Sequence, residues 1–153
     1  MRKAEKLMYK SVYAYNKNKK TRAKVFNLIL RVIFACDIPY SVKIGKNVQL
    51  VHNGLGCVFH PKVNIGSNCK IYQNVTLGGN GKIIDGVLTN KGGPTLEEGV
   101  TVFSGACVLG SVKIGKNSII GANAVVLNDV PENSIAVGVP VKIKPKTSEY
   151  NFN

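Results

Sequence analysis

The sequence predicts an all-β domain, a left-handed parallel β-helix of hexapeptide repeats, with a short N-terminal helical extension and one extruded loop. Three observations predict it. From Ile38 onward apolar residues recur every six positions, a period that belongs to neither an ordinary strand nor a helix. The fifth position of most units is small or β-branched. Glycine, with 16 residues, falls largely in the same phase and so marks turns rather than a flexible linker.

The units open at Ile38, Ile44 and Leu50, then, after a break in phase, at Phe59, Ile65, Ile71 and Leu77. After an interruption they resume at Leu96, Val102, Val108, Ile114, Ile120 and Val126. Four places later stand residues such as Val42, Val48, Cys69, Ala106, Ser118 and Ala124. In a triangular coil each hexad supplies one short strand and one turn, so about eighteen residues complete a rung. The opening residue points inward and stacks on its equivalents, whereas the fifth sits near a corner where volume is scarce. The composition agrees: hydrophobic residues reach 44% but aromatics only 7%, with no Trp, so the apolar content is aliphatic.

The length of 153 residues fits one domain. Residues 1–36 form a basic helical extension, 37–145 the β-helix with its loop at 78–95, and 146–153 a C-terminal tail. The extension reads as KAEKLMYKSVYAY, a basic break from Asn16 to Lys20, then TRAKVFNLILRVIFAC. Two readings fit it: a helix covering the first coil, or a basic amphipathic helix resting on an anionic membrane face. No segment has the apolar length of a membrane span, and no signal-peptide pattern opens the chain.

The formal charge of +13 raises nucleic-acid binding. No recognition-helix motif or aromatic-basic platform accompanies it, so a membrane surface or an anionic small ligand is the better expectation. Cys36, Cys57, Cys69 and Cys107 show no CxxC spacing and read as reduced core thiols of a cytoplasmic protein. With two histidines in all, His52 and His60, a three-ligand metal centre is not expected, and His60 beside Pro61 reads as a solvent-facing corner residue.

Two departures from the period matter for function, because insertions in a solenoid are extruded on one face and often build its site. They are LVHNGLGCV, Leu50 to Val58, and GGNGKIIDGVLTNKGGPT, Gly78 to Thr95.

Across residues 37 to about 145 the chain resembles the hexapeptide-repeat acyltransferases, in particular the serine O-acetyltransferase branch and its relatives that acetylate capsule or lipopolysaccharide sugars. The resemblance rests on Asp37-Ile38-Pro39, Leu50-Val51-His52, Val75 to Lys82 and Val137 to Lys142. It implies an acyl-CoA-dependent O-acyltransferase that uses acetyl-CoA, needs no metal and assembles as a homotrimer with active sites between subunits. His52 would be the general base, imidazole being suited to removing a hydroxyl proton near neutral pH. Asp37, fifteen residues earlier, would orient it; a local amide cap is the alternative for that carboxylate. The coenzyme would lie along the later coils against Gly79, Ser104 and Ala122, with Lys142, Lys144 and Lys146 near its phosphates. As corner spacers and solvated charges, these six residues also have plain readings.

The departures from the serine enzymes shape the expected acceptor. Val51 replaces the acidic residue before the catalytic His, and Gly93 replaces a second active-site His that precedes a proline. An ammonium and a carboxylate buried without partners are penalised, so the expected acceptor is a sugar hydroxyl in capsule, exopolysaccharide or lipopolysaccharide synthesis. Serine acetylation in cysteine synthesis and a non-catalytic trimeric scaffold are the alternatives. A serine enzyme of this branch commonly ends in an Ile that enters cysteine synthase, and this chain ends Tyr150-Asn151-Phe152-Asn153, so that partner is not expected.

Overall fold

A computed structural model describes residues 1–89 and 92–147. Helix α1 (Lys3–Asn16) and helix α2 (Lys20–Phe34) precede a coil whose strands are only two to four residues long. The first rung holds β1 (Lys43–Ile44), β2 (Gln49–Leu50) and β3 (Val58–Phe59), and the second β4 (Asn64–Ile65), β5 (Lys70–Ile71) and β6 (Thr76–Gly78). A separate antiparallel hairpin, β7 (Lys82–Ile84) with β8 (Val87–Thr89), follows. The third rung is β9 (Thr95–Leu96), β10 (Thr101–Val102) and β11 (Cys107–Leu109), the fourth β12 (Lys113–Ile114), β13 (Ile119–Ile120) and β14 (Val125–Val126). Finally β15 (Ser134–Val137) adds to the second face and β16 (Lys142–Pro145) turns back antiparallel along it.

Each strand pairs in parallel with its equivalent in the next rung, giving three sheets: β1-β4-β9-β12, β2-β5-β10-β13-β15-β16 and β3-β6-β11-β14. The rungs obey the expected period wherever the chain is uninterrupted: Thr95 pairs with Lys113 and Thr101 with Ile119, each eighteen residues on. Lys43 pairs with Asn64, so that rung takes 64 − 43 = 21 residues and contains three extra. Asn64 pairs with Thr95, so the next takes 95 − 64 = 31 and contains thirteen extra. These are the two departures read from the sequence. The second contains the β7–β8 hairpin, turned at Asp85 and Gly86 with φ of 51° and 76°, the left-handed pair that a two-residue hairpin requires. Residues 90 and 91 of the expected loop, and 148–153 of the expected tail, lie outside the described residues.

The opening residues fill the core as expected; all are buried except Ile44, which is partly so. Cys36, Cys57 and Cys69 are buried free thiols, and Cys107 is half-buried. Ser118 is a buried polar exception that is satisfied, its Oγ donating to Pro131 O at 2.6 Å and accepting from Ser134 N at 3.1 Å. Helix α1 covers the first rung with Ala4 and Met8. It also supplies acceptors to an edge that would otherwise expose unpaired N–H groups. Buried Glu5 accepts from Leu50 N at 3.0 Å, while Tyr9 Oη accepts from Val48 N at 2.9 Å and donates to Gly45 O at 2.8 Å. No helix among the described residues is long and apolar enough to cross a membrane.

Candidate active site

The three extra residues of the first rung lie between β2 and β3, where seven residues, 51–57, span a corner that four, 72–75, span in the rung above. The surplus is absorbed by a tight 3₁₀ turn, Val51–Gly54, in which His52 (φ 55°, ψ 35°) and Asn53 (φ 57°, ψ 20°) are both left-handed. Two successive non-glycine residues in that region are uncommon and need outside support. Cys36 provides it, its thiol donating to the carbonyls of Asn53 at 3.1 Å and Gly54 at 2.8 Å. The Asn53 carboxamide oxygen accepts from Ala4 N at the start of α1 at 3.4 Å. The result is an imidazole displayed on the corner: His52 is exposed, its ring 6.4 Å from that of Tyr72.

Asp37, next to Cys36 in the chain, forms a parallel bridge with Val58 at the start of β3, its backbone paired to Cys57 and Phe59. Its carboxylate meets Arg31 at 3.9 Å, and among the described residues no hydrogen bond joins it to His52. The sheet register and the corner hydrogen bonds place further residues in a line above His52. Asn74 N donates to Leu55 O, Gly105 N to Gln73 O, and Asn123 N to Ser104 O, at 2.7, 3.1 and 2.9 Å. Gln73, Ser104 and Ala122 therefore stack at one corner, and Tyr72 stacks on Phe103 with centroids 4.8 Å apart. Lys142 pairs with Val137 where β15 reaches the same corner.

The remaining expected coenzyme residues do not join that line within one chain. Gly79 follows β6, at the next corner past the one that holds Gln73, and Lys144 pairs with Ile135 farther back along β15. Lys146 reaches a different corner, where its Nζ donates to Asn117 O at 3.3 Å. Close to Lys142, Val125, Leu127, Val139, Pro140 and Ile143 line an apolar hollow of about 310 Å³.

Two features escaped sequence reading. The side-chain oxygen of Gln73 is buried with no hydrogen-bond partner among the described residues, on the corner line that starts at His52. His60 stands at the corner after β3, half-buried, and its Nδ1 accepts from Lys62 N at 3.2 Å. A Cβ at Gly93 would stand 3.1 Å from that nitrogen, so the two positions share one space although 33 residues separate them. A His-Pro pair and a Gly-Pro pair carry no signal for such a meeting. Within a chain His52 and His60 flank β3 at opposite corners. Among the described residues no three His, Cys, Asp or Glu side chains converge to hold a metal ion.

Residues 93–128 match the family described as bacterial transferase hexapeptide (six repeats). The serine acetyltransferase of Haemophilus influenzae is 39% identical over 136 residues, 86% of this chain and 47% of that protein. A match of that length necessarily includes the His52 corner. A serine acetyltransferase structure in complex with CoA has a TM-score of 0.79 at 35% identity, covering 92% of this chain and 55% of the other. The Neisseria gonorrhoeae serine acetyltransferase in complex with serine has a TM-score of 0.80 at 30% identity, covering 92% and 55%. The chain thus spans about half the length of the relatives it matches. The fold likeness implies the left-handed winding expected of the coil. These findings overturn the sugar acceptor and the polysaccharide role: the relatives are named for serine. The expectation failed because it judged the acceptor site by two sequence positions, Val51 and Gly93, whereas space around Gly93 is held by a histidine from elsewhere in the chain.

Proposed function

We propose that this chain, a homologue of the serine acetyltransferases built on bacterial transferase hexapeptide repeats, transfers an acetyl group from acetyl-CoA to the hydroxyl of serine. The observation that carries the reading is the three-residue corner insertion that displays His52 at the foot of a straight line of small and polar residues. In the reaction His52 takes the hydroxyl proton as the oxygen attacks the thioester carbonyl. The tetrahedral adduct then expels the coenzyme's sulfur, which receives that proton from the imidazolium. Asp37 orients the ring. Its hold on Arg31 is long and half exposed, hence weak enough to be exchanged for an imidazole N–H.

The pantetheine arm lies along Ser104 and Ala122, where small side chains let it approach the coil, and Lys142 meets the phosphates. From β2, whose corner carries His52, to β16, which carries Lys142, is five strand spacings of about 4.8 Å, or about 24 Å, the distance the coenzyme bridges between its thioester and its phosphates. The hollow beside Lys142 offers an apolar seat for the adenine ring. Gly79, Lys144 and Lys146 lie off this line and act, in our reading, across a homotrimer interface, as does His60, the imidazole that replaces one at position 93. Acetyl-CoA and free thiols suit the cytoplasm.

The test supplies the purified chain with acetyl-CoA and L-serine, follows thiol release and identifies the product by mass. O-acetylserine in amounts that depend on His52 is expected. Thiol release that no serine concentration stimulates would refute the acceptor, and no thiol release with any hydroxyl compound would favour the scaffold.

A further inference from the structure

The two N-terminal helices divide their apolar residues unequally. Helix α1 spends its apolar face on the coil, through Ala4 and Met8. Helix α2 buries Ala23 and Leu30, and its Asn27 side chain donates to Ile38 O, but its opposite side is uncovered. Val25, Leu28 and Val32 stand 50%, 60% and 73% exposed at the i, i+3, i+7 spacing of a single stripe, with Ile33 beside them at 67%. No ordinary surface helix leaves such a stripe in water.

The charges around the stripe are of one sign. Residues 6–36 contain no Asp or Glu, while Lys17, Lys19, Lys20, Arg22, Lys24 and Arg31 all fall on the interhelical turn or on α2. Between the helices Lys10, Lys19 and Arg22 join Tyr13 and Phe26 around a groove of about 130 Å³. Aromatic rings hold two cations close to it, Arg22 at 5.7 Å from the Phe26 centroid and Lys17 at 5.9 Å from that of Tyr13. A second copy placed on this face would oppose cation to cation, and a nucleic acid would leave the stripe unsatisfied. A surface with an apolar interior and an anionic boundary matches both features.

We propose that the outer side of the α1–α2 hairpin docks on an anionic lipid bilayer, with Val25, Leu28 and Val32 inserted below the headgroups and the lysines and arginines set among the phosphates. This surface is separate from the His52 corner, so it stands whether or not serine is the acceptor.

Vesicle flotation of the full chain tests it, with phosphatidylcholine alone against phosphatidylcholine containing about one third phosphatidylglycerol. Binding to the second and not the first is expected, weakening as salt rises. Leu28→Glu with Val32→Glu should lower partitioning roughly tenfold or more, and Lys20→Gln, Arg22→Gln and Lys24→Gln should each lower it about fivefold. Unchanged helicity by circular dichroism certifies that these exposed changes leave the fold intact, and the cation variants leave the stripe itself untouched. The proposal is overturned if the parent ignores anionic vesicles or if the double Glu variant floats equally well. It is also overturned if, without lipid, that variant sediments as a smaller assembly than the parent, since the face would then be a contact between copies. Thiol release measured on the same samples reports separately on acetyl transfer.

Discussion

Removing the carboxylate of Glu5 tests whether the coil depends on its helical cover. That carboxylate is 3% exposed and takes the Leu50 N–H of the first rung at 3.0 Å, while Arg2, 42% exposed, meets it at 3.1 Å. In Glu5→Ala the buried Leu50 N–H loses its acceptor, which costs about 1–3 kcal/mol. Loss of the partly exposed ion pair adds about 0–1 kcal/mol. Together the change should destabilise the chain by about 1–4 kcal/mol, read as a lower midpoint in urea unfolding followed by circular dichroism. Glu5→Gln keeps a carbonyl oxygen for Leu50 and should lose about half as much or less. Tyr9→Phe removes the bridge between Val48 N and Gly45 O and should cost about 1–2 kcal/mol. A loss below about 0.5 kcal/mol in Glu5→Ala, or equal damage from Ala and Gln, would refute the capping account.

His52→Ala should lower serine acetylation by roughly two to four orders of magnitude with acetyl-CoA binding retained, as measured by turnover and by calorimetry. Asp37→Asn should depress turnover by up to about four orders if the carboxylate orients the imidazole; a small loss would leave it as a backbone cap. Gly66→Ala would place a Cβ 2.7 Å from the Glu97 carbonyl carbon and 2.8 Å from Glu98 N, backbone of the next rung, and should cost about 1–3 kcal/mol in the same urea assay. Burial pushes the Cys57 and Cys69 thiols up from 9.0 to about 11, and burial followed by the nearby Cys57 pushes Cys36 up to about 12. A thiol whose folded value is raised lends its full stability below pH 9 and loses it as pH climbs through 11 to 12. Thermal stability should therefore fall on that alkaline side, and iodoacetamide should label half-buried Cys107 ahead of the other three in native protein.

The coil was legible because its constraint is repetitive: an inward position that stacks on itself takes an apolar residue, aliphatic in all but Phe59, and thirteen such units repeat one message. The corners were less so. Asn47, Asn68, Asn74, Asn117 and Asn123 all carry positive φ, a task shared with glycine that a hydrophobic period does not register. The Asp85-Gly86 turn has the plainest short-range hairpin signal, but it lies among glycines that read as a loop. Of the site, His52 stood out because its flanks break the period and resemble a family motif. Gln73 did not, since nothing in its own flanks says that its oxygen lacks a partner among the described residues. The meeting of His60 and Gly93 depends on a rung closing around thirteen inserted residues, a distance relation that no local pattern encodes.

Parallel stacking also makes height along the axis a count of rungs, since residues inserted at a corner add none. One rung of about eighteen residues adds one step of about 4.8 Å, whatever its sequence, provided inward positions stay apolar. The coil is therefore a gauge whose graduations can be added or removed. Excising the rung from β9 to β11, as a whole period, would bring Lys142 one graduation nearer to His52 while leaving both corners and both end caps in phase. Reach and chemistry are thus set by different residues, so lineages of this architecture can refit the length of the molecule they hold without rebuilding the histidine that acts on it.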